Sequence, residues 1–212
     1  MYITLKTKMK KKRIKTDLPL KNQEKQTNNF QAFISMLRGI NVSGQKKILM
    51  TDLKELYEKL GFSQVTTYIQ SGNVIFKSNE KLPDTRLAKK IEKAIYEKYD
   101  FEVAVIIRSA EEIKKTISSN PFLKEKNCDT KRLYVTFLSE IPAKENVESI
   151  ENIHFLPDKF IVSEKEIYLY VPKGYGETKI SNNFFEQKLK VKATTRNWNT
   201  VNKLSDLASN SK

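Results

Sequence analysis

Between residues 33 and 107 the pattern of apolar residues switches in an order that few folds accept: strand, helix, strand, tight turn, strand, helix, strand. The run Phe33-Ile34-Ser35-Met36-Leu37 reads as a buried strand ending in a polar glycine loop. Thr51 then opens a helix. Leu53, Leu56, Tyr57 and Leu60 recur at helical spacing, Asp52 suits the positive first turn, and Gly61 supplies a left-handed stop. Residues 64–68 and 74–77 are strands around the turn-forming Ser71-Gly72-Asn73, so the pair predicts a hairpin. Pro83-Asp84 opens a second helix with Leu87, Ile91 and Ile95 on one stripe, and residues 102–107 form a fourth strand. The resulting βαββαβ order is the split βαβ, or ferredoxin-like, arrangement: an antiparallel sheet with its helices on one face.

The second half echoes the first. Ser109 and Glu112 make a capping box for a helix carrying Ile113 and Ile117, which ends before Asn120-Pro121. Residues 133–138 read as a strand and 142–150 as a helix with Pro142 in its first turn. Residues 160–163 and 167–171 form a second hairpin, and helical spacing resumes at Phe184-Phe185-Leu189 and at Trp198-Val201-Leu204-Ala208. This reads as βαββα, without a clear final strand. The expected architecture is α+β: a ferredoxin-like lobe over residues 30–108, then a second, similar α+β lobe over 109–212.

The chain's 212 residues, 39% of them apolar, suffice for such a core, and its formal charge of +14 would normally point to an anionic partner. Half of that charge belongs elsewhere. Residues 1–30 hold nine Lys/Arg against Asp17 and Glu24, a surplus of seven, with few apolar residues and no helical period. We read residues 1–29 as a disordered basic leader, a solvated tail in preference to a nucleic-acid-binding arm. It lacks the apolar segment of a secretory signal, and no apolar run approaches bilayer length, so the expected location is the cytoplasm, away from membranes. One cysteine, Cys128, precludes an internal disulfide, and one histidine, His154, leaves zinc without its usual ligands. No cofactor signature is present, and nothing in the sequence fixes an oligomeric state.

Topology makes two polar stretches the candidate site. In the split arrangement the first and second strands run parallel and the third returns between them. The loop Arg38-Gly39-Ile40-Asn41-Val42-Ser43-Gly44-Gln45-Lys46-Lys47 and the turn Ile69-Gln70-Ser71-Gly72-Asn73 therefore leave the sheet at one edge. Arg38, Asn41, Lys46, Lys47, Gln70, Ser71 and Asn73 supply cationic, amide and hydroxyl groups suited to a phosphate or carboxylate. Gly39, Gly44 and Gly72 could bring backbone N–H groups close to an anion. Near the C-terminus, Arg196 and Asn197 in Thr194-Thr195-Arg196-Asn197-Trp198-Asn199 are candidates for a third wall, with Lys179 nearby. The bland readings are turns that only tie loops together, a solvated Arg196, and a last helix capped by Thr195 or Asn197.

Familiar catalytic signatures fail on inspection. Residues 39–46 have the glycine spacing of a nucleotide-binding P-loop, but Gln45 stands where the phosphate-binding lysine belongs and the magnesium-binding hydroxyl is missing. His154 has no nucleophile partner in the sequence, and Cys128 no motif. An RNA-recognition sheet would carry stacking aromatics on its third strand, whereas Asn73-Val74-Ile75-Phe76-Lys77 lacks that pattern; Phe33 and Phe76 read as core.

Taken in order, five segments resemble the bacterial family known as domain of unknown function 1697 (DUF1697). They are Leu37-Arg38-Gly39-Ile40-Asn41-Val42, Leu60-Gly61-Phe62, Tyr68-Ile69-Gln70-Ser71-Gly72-Asn73-Val74, Asn120-Pro121-Phe122 and Thr194-Thr195-Arg196-Asn197-Trp198-Asn199-Thr200-Val201. The resemblance runs from about residue 33 to residue 208 and implies a two-lobed α+β fold and a soluble bacterial protein, with no activity to carry over. Ser43 stands where the family's loop usually has glycine. The sequence thus supports three readings: a module that binds a small anion or nucleic-acid phosphate, an enzyme acting on a phosphorylated or carboxylated metabolite, or a non-catalytic module whose polar loops lock lobes or subunits together.

Overall fold

The computed structural model describes residues 30–80 and 82–210. The leader expectation for residues 1–29 lies outside them. The apolar stripes and turn residues, read in order, become two copies of one topology. The first copy runs β1 (Gln31–Leu37), α1 (Met50–Lys59), β2 (Ser63–Tyr68), β3 (Asn73–Ser78), α2 (Asp84–Tyr99) and β4 (Val105–Ser109). Its antiparallel sheet has the order β2-β3-β1-β4, that of the split βαβ arrangement. The linking helix α3 (Ala110–Ser118) begins at the expected capping box, in which the Ser109 hydroxyl accepts from Glu112 N and the Glu112 carboxylate accepts from Ser109 N.

The second copy runs β5 (Leu133–Leu138), α4 (Lys144–Glu151), β6 (Lys159–Ser163), β7 (Glu166–Tyr170), α5 (Asn182–Leu189) and β8 (Ala193–Asn197), with α6 (Trp198–Asn210) closing the chain. Its sheet order, β6-β7-β5-β8, repeats that of the first. The final strand missing from the sequence reading is therefore present: β8 is the polar segment Ala193-Thr194-Thr195-Arg196-Asn197, paired antiparallel with β5. Two boundaries also move. Residues 102–104 precede β4 instead of opening it, and Pro142 stands before the α4 N-cap Ala143, outside the first turn.

Three apolar layers hold the lobes. Leu53, Leu56 and Tyr57 of α1 and Leu87, Ile91 and Ile95 of α2 pack on Phe33, Phe76, Val74 and Ile107, one face of the first sheet. The stacked Phe33 and Phe76 rings, 5.7 Å apart, sit in this layer as expected. Ile150, Phe185 and Leu189 cover the corresponding face of the second sheet. The opposite faces of both sheets close on each other through a shared layer that joins Ile34, Met36, Ile75 and Ile106 to Val135, Phe137 and Tyr168, with Ile113 of α3 and Trp198, Val201 and Leu204 of α6 between them. That central layer decides one functional question. The sheet face on which an RNA-recognition module stacks bases is here interior, so neither sheet can serve in that way. Among the described residues, no helix is long and apolar enough to cross a membrane.

Candidate functional site

The two polar stretches meet. Asn41 Nδ2 donates to Gln70 O at 2.9 Å and to Ile48 O at 3.0 Å, while its Oδ1 accepts from Ile48 N at 2.9 Å. A single amide thus fastens both ends of its own loop and the neighbouring hairpin. Leu37 N donates to Gly72 O at 2.8 Å, and a Cβ on Gly72 would lie 2.7 Å from Ile40 Cδ1 and 2.8 Å from Leu37 Cβ. Only glycine admits that approach, and its φ of +75° adds a second reason. Gly39 and Gly44 differ: their φ values of +68° and +77° favour glycine, but a Cβ at either would meet open space.

Arg196, from β8 of the other lobe, closes the same rim from inside. Its Nε donates to Asn73 Oδ1, its Nη1 to Thr194 Oγ1 and Thr195 O, and its Nη2 to Leu37 O at 2.9 Å and Ser71 O at 3.1 Å. All five donors of the guanidinium are therefore used, each on a neutral oxygen. Asn73 is fully buried and gives its own Nδ2 to Tyr68 O and Ser71 Oγ. With no carboxylate among its partners, Arg196 is shifted by burial alone, which pushes its pKa down to about 10. The side chain still carries its charge at neutral pH.

Arg108 on β4 makes the reciprocal contact. Its Nε donates to Glu166 Oε1 at 2.8 Å, its Nη1 to Ile107 O, and its Nη2 to Leu138 O and Lys165 O. The correspondence is one of register. Ile34 on β1 pairs with Arg108 and Val135 on β5 with Arg196, while Met36 pairs with Asn73 and Phe137 with Glu166. Each lobe's last strand sends an arginine to the end of the other lobe's first strand and to its hairpin. The two clamps differ in charge at Nε, where Arg108 meets the carboxylate of Glu166 and Arg196 the amide of Asn73, and Arg196 has a further acceptor in Thr194 Oγ1.

Arg38 ties the lobes a third time. Its Nε and Nη2 form a fork on Glu186 of α5, at 2.8 and 2.7 Å, and Nη2 also reaches Asn183 Oδ1. Beside this pair lies a cavity of about 700 Å³, lined from one lobe by Arg38, Lys46, Lys89, Glu92, Lys93, Tyr96 and residues 102–104, and from the other by Glu186 and Lys192. Five cations there face three carboxylates, Glu92, Glu102 and Glu186. Two of those carboxylates are engaged, Glu186 by Arg38 and Glu92 Oε1 by Val105 N. Lys46 Nζ donates to Glu102 O. Among the described residues, the Lys89 and Lys192 amines have no acidic partner, and Lys93 has only the exposed, 3.6 Å pair with Glu97.

The expected site therefore divides. Arg38, Asn41, Ser71, Asn73 and Arg196 are brought together, but their donors are consumed in holding loops and lobes. Arg196 is not the solvated residue of the bland reading; Asn197 is the helix cap, its Oδ1 accepting from Thr200 N at 2.8 Å. Trp198 packs inward beside it. Lys47 and the Gln70 side chain stay exposed on the rim. Lys179 stands apart, lining a separate cavity with His154, Asp158 and Thr178, and does not form a wall with Arg38. Sequence reasoning missed Lys89, Lys93 and Lys192. The four-residue spacing of Lys89 and Lys93, with Tyr96 three further on, was a usable sign of one cationic helix face; Lys192 had none while β8 went unread.

Comparisons with known proteins agree with this architecture. The family described as "Protein of unknown function (DUF1697)" matches residues 30–168. The chain is also similar to a solved structure, that of the conserved bacterial protein SP0830 from Streptococcus pneumoniae, with a TM-score of 0.63 and 22% identity over 84% of this chain and 99% of that one. At that identity the likeness speaks for the fold alone. No curated protein matches the chain.

Proposed function

This chain belongs to the DUF1697 family, and from that premise we propose that it binds a small multivalent anion of the oligophosphate class in the groove between its lobes. The observation that carries the reading is the surplus of lysine amines there. Lys89, Lys93 and Lys192 converge from both lobes on one cavity without acidic partners of comparable number. Ammonium groups with unspent protons attract an anion and donate to its oxygens, whereas the rim residues Asn41, Asn73 and Arg196 have little left to give. In this reading the rim is scaffold and the groove is site. Arg38 belongs to both, since Glu186 occupies its fork while its side chain still borders the groove. Tyr96, half exposed at 51%, and Val103 supply apolar surface beside the amines, as a nucleotide or nucleic-acid phosphate would also require.

Thermal unfolding tests the proposal. Tripolyphosphate at a hundredfold excess over its Kd should raise the Tm by roughly 5–10 °C, because a ligand bound only to the folded state adds about 2.7 kcal/mol. Orthophosphate and sodium chloride at matched ionic strength should raise it far less. A single-stranded oligonucleotide outcompeting tripolyphosphate would assign the groove to nucleic-acid phosphate. No shift with any of these anions would leave the module that locks lobes together as the better account.

A further inference from the structure

We infer that Arg196 sets the groove's affinity for anions without touching the ligand, because Asn73 leaves its buried charge uncompensated. The inference rests on the groove being the anion site. Its basis is the internal comparison that the two clamps allow. At equivalent positions of the two sheets the guanidinium Nε meets Glu166 in one case and Asn73 in the other. The surroundings deepen the contrast. Near Arg108, Lys165 pairs with Glu112 at 2.8 Å and approaches Asp84 at 3.9 Å, so that clamp sits in a network of two bases and three acids. Around Arg196 the direct partners are three backbone carbonyls, one amide oxygen and one hydroxyl. The closest ion pair by connectivity is Arg38 with Glu186, which is neutral as a pair.

Such a charge acts at a distance. Arg196 Nη2 holds the carbonyl of Leu37, and the next residue, Arg38, lines the groove; Arg38 N in turn donates to the carbonyl of Ala104, another lining residue. Leu37 on that path is buried and Arg38 and Ala104 are half-buried, and a unit charge is screened less through such surroundings than across water. A charge held by neutral dipoles adds its field to the lysines without a counter-ion to cancel it, and it needs no reorganisation when the anion arrives. The lobe with the carboxylate lacks this feature, and the cationic groove lies on the side where the carboxylate is replaced.

The test pairs two substitutions at one position. Asn73→Asp and Asn73→Ala both remove the Nδ2 donor to Tyr68 O, but only the first installs a counter-charge. With tripolyphosphate as the probe in calorimetric titration, Asn73→Asp should weaken binding by roughly fivefold, the scale of one nearby unit charge in a partly screened interior. Asn73→Ala should retain wild-type affinity within about twofold. Should Asn73→Asp fail to fold, Thr194→Asp places a carboxylate on the other side of the same guanidinium and should weaken binding likewise. Equal affinity of the folded aspartate variant and wild type would overturn the inference while leaving the groove intact. Equal losses in aspartate and alanine variants would overturn it too, by assigning the effect to packing. Absence of tripolyphosphate binding by the wild-type protein would instead remove the groove reading, and the inference with it.

Discussion

Replacing Arg196 by alanine should lower unfolding free energy by about 3–5 kcal/mol, the scale expected when several buried acceptors lose their donor and a large side chain leaves a cavity. The loss has three sources. Leu37 O, Ser71 O and Thr195 O lose a buried donor, as do Asn73 Oδ1 and Thr194 Oγ1, and each orphaned acceptor costs energy where water cannot reach it. A cavity of guanidinium size opens beside the central apolar layer. The strand end and hairpin of the first lobe also lose this clamp from β8. Urea denaturation followed by tryptophan fluorescence suits the measurement, because Trp198 lies two residues away in that layer. A loss below about 1 kcal/mol would mean the rim holds without the arginine.

Glu166→Ala is the second large effect, for a different reason. Arg108 is 1% exposed and retains its three carbonyl partners in the variant, but its Nε loses an acceptor and the guanidinium loses its counter-charge. Breaking a buried pair by removing one partner costs about 3–5 kcal/mol because the other charge remains. Glu166→Gln should recover most of that, since Asn73 already shows how an amide oxygen serves the same Nε in the other clamp. Midpoints of urea unfolding for the two variants make the comparison. Equal destabilisation by alanine and glutamine would show that charge, not the hydrogen bond, governs this clamp.

Much of the fold was legible because most elements satisfy one rule at a time. The stripe of Leu87, Ile91 and Ile95, the turn at Ser71-Gly72-Asn73 and the capping box of Ser109 and Glu112 each obey local chemistry that tertiary structure did not overrule. The failure at β8 is equally physical. Thr194 and Arg196 are spent on the inter-lobe clamp, and Thr195 joins Thr136, Tyr175 and Asn182 in a hydroxyl network, so the strand never shows an apolar alternation. A polar segment with Asn197 before an apolar helix looks like a cap, and it is one; it is also a strand.

The candidate site was legible only in part. The convergence of the Arg38 loop and the Gln70 turn followed from topology, since a crossover fixes which loops share an edge. What the donors there do did not follow. A run of Arg, Asn and Ser offers the same hydrogen bonds to a ligand as to a neighbouring lobe, and the sequence cannot distinguish them until the other lobe's Arg196 and Glu186 are in place. The groove lysines come from α2 and from the turn before β8, two places far apart in sequence whose proximity depends on how the lobes dock.

The central claim assigns anion binding to those lysines and lobe-locking to the rim, and titrating tripolyphosphate into wild type and a Lys89→Ala/Lys192→Ala variant tests it most directly. Both side chains are exposed, so the Tm without ligand should stay within about 1–2 °C while affinity falls at least tenfold. Undiminished affinity in that variant, with binding abolished instead by Arg38→Ala at unchanged stability, would contradict the assignment and return the site to the rim.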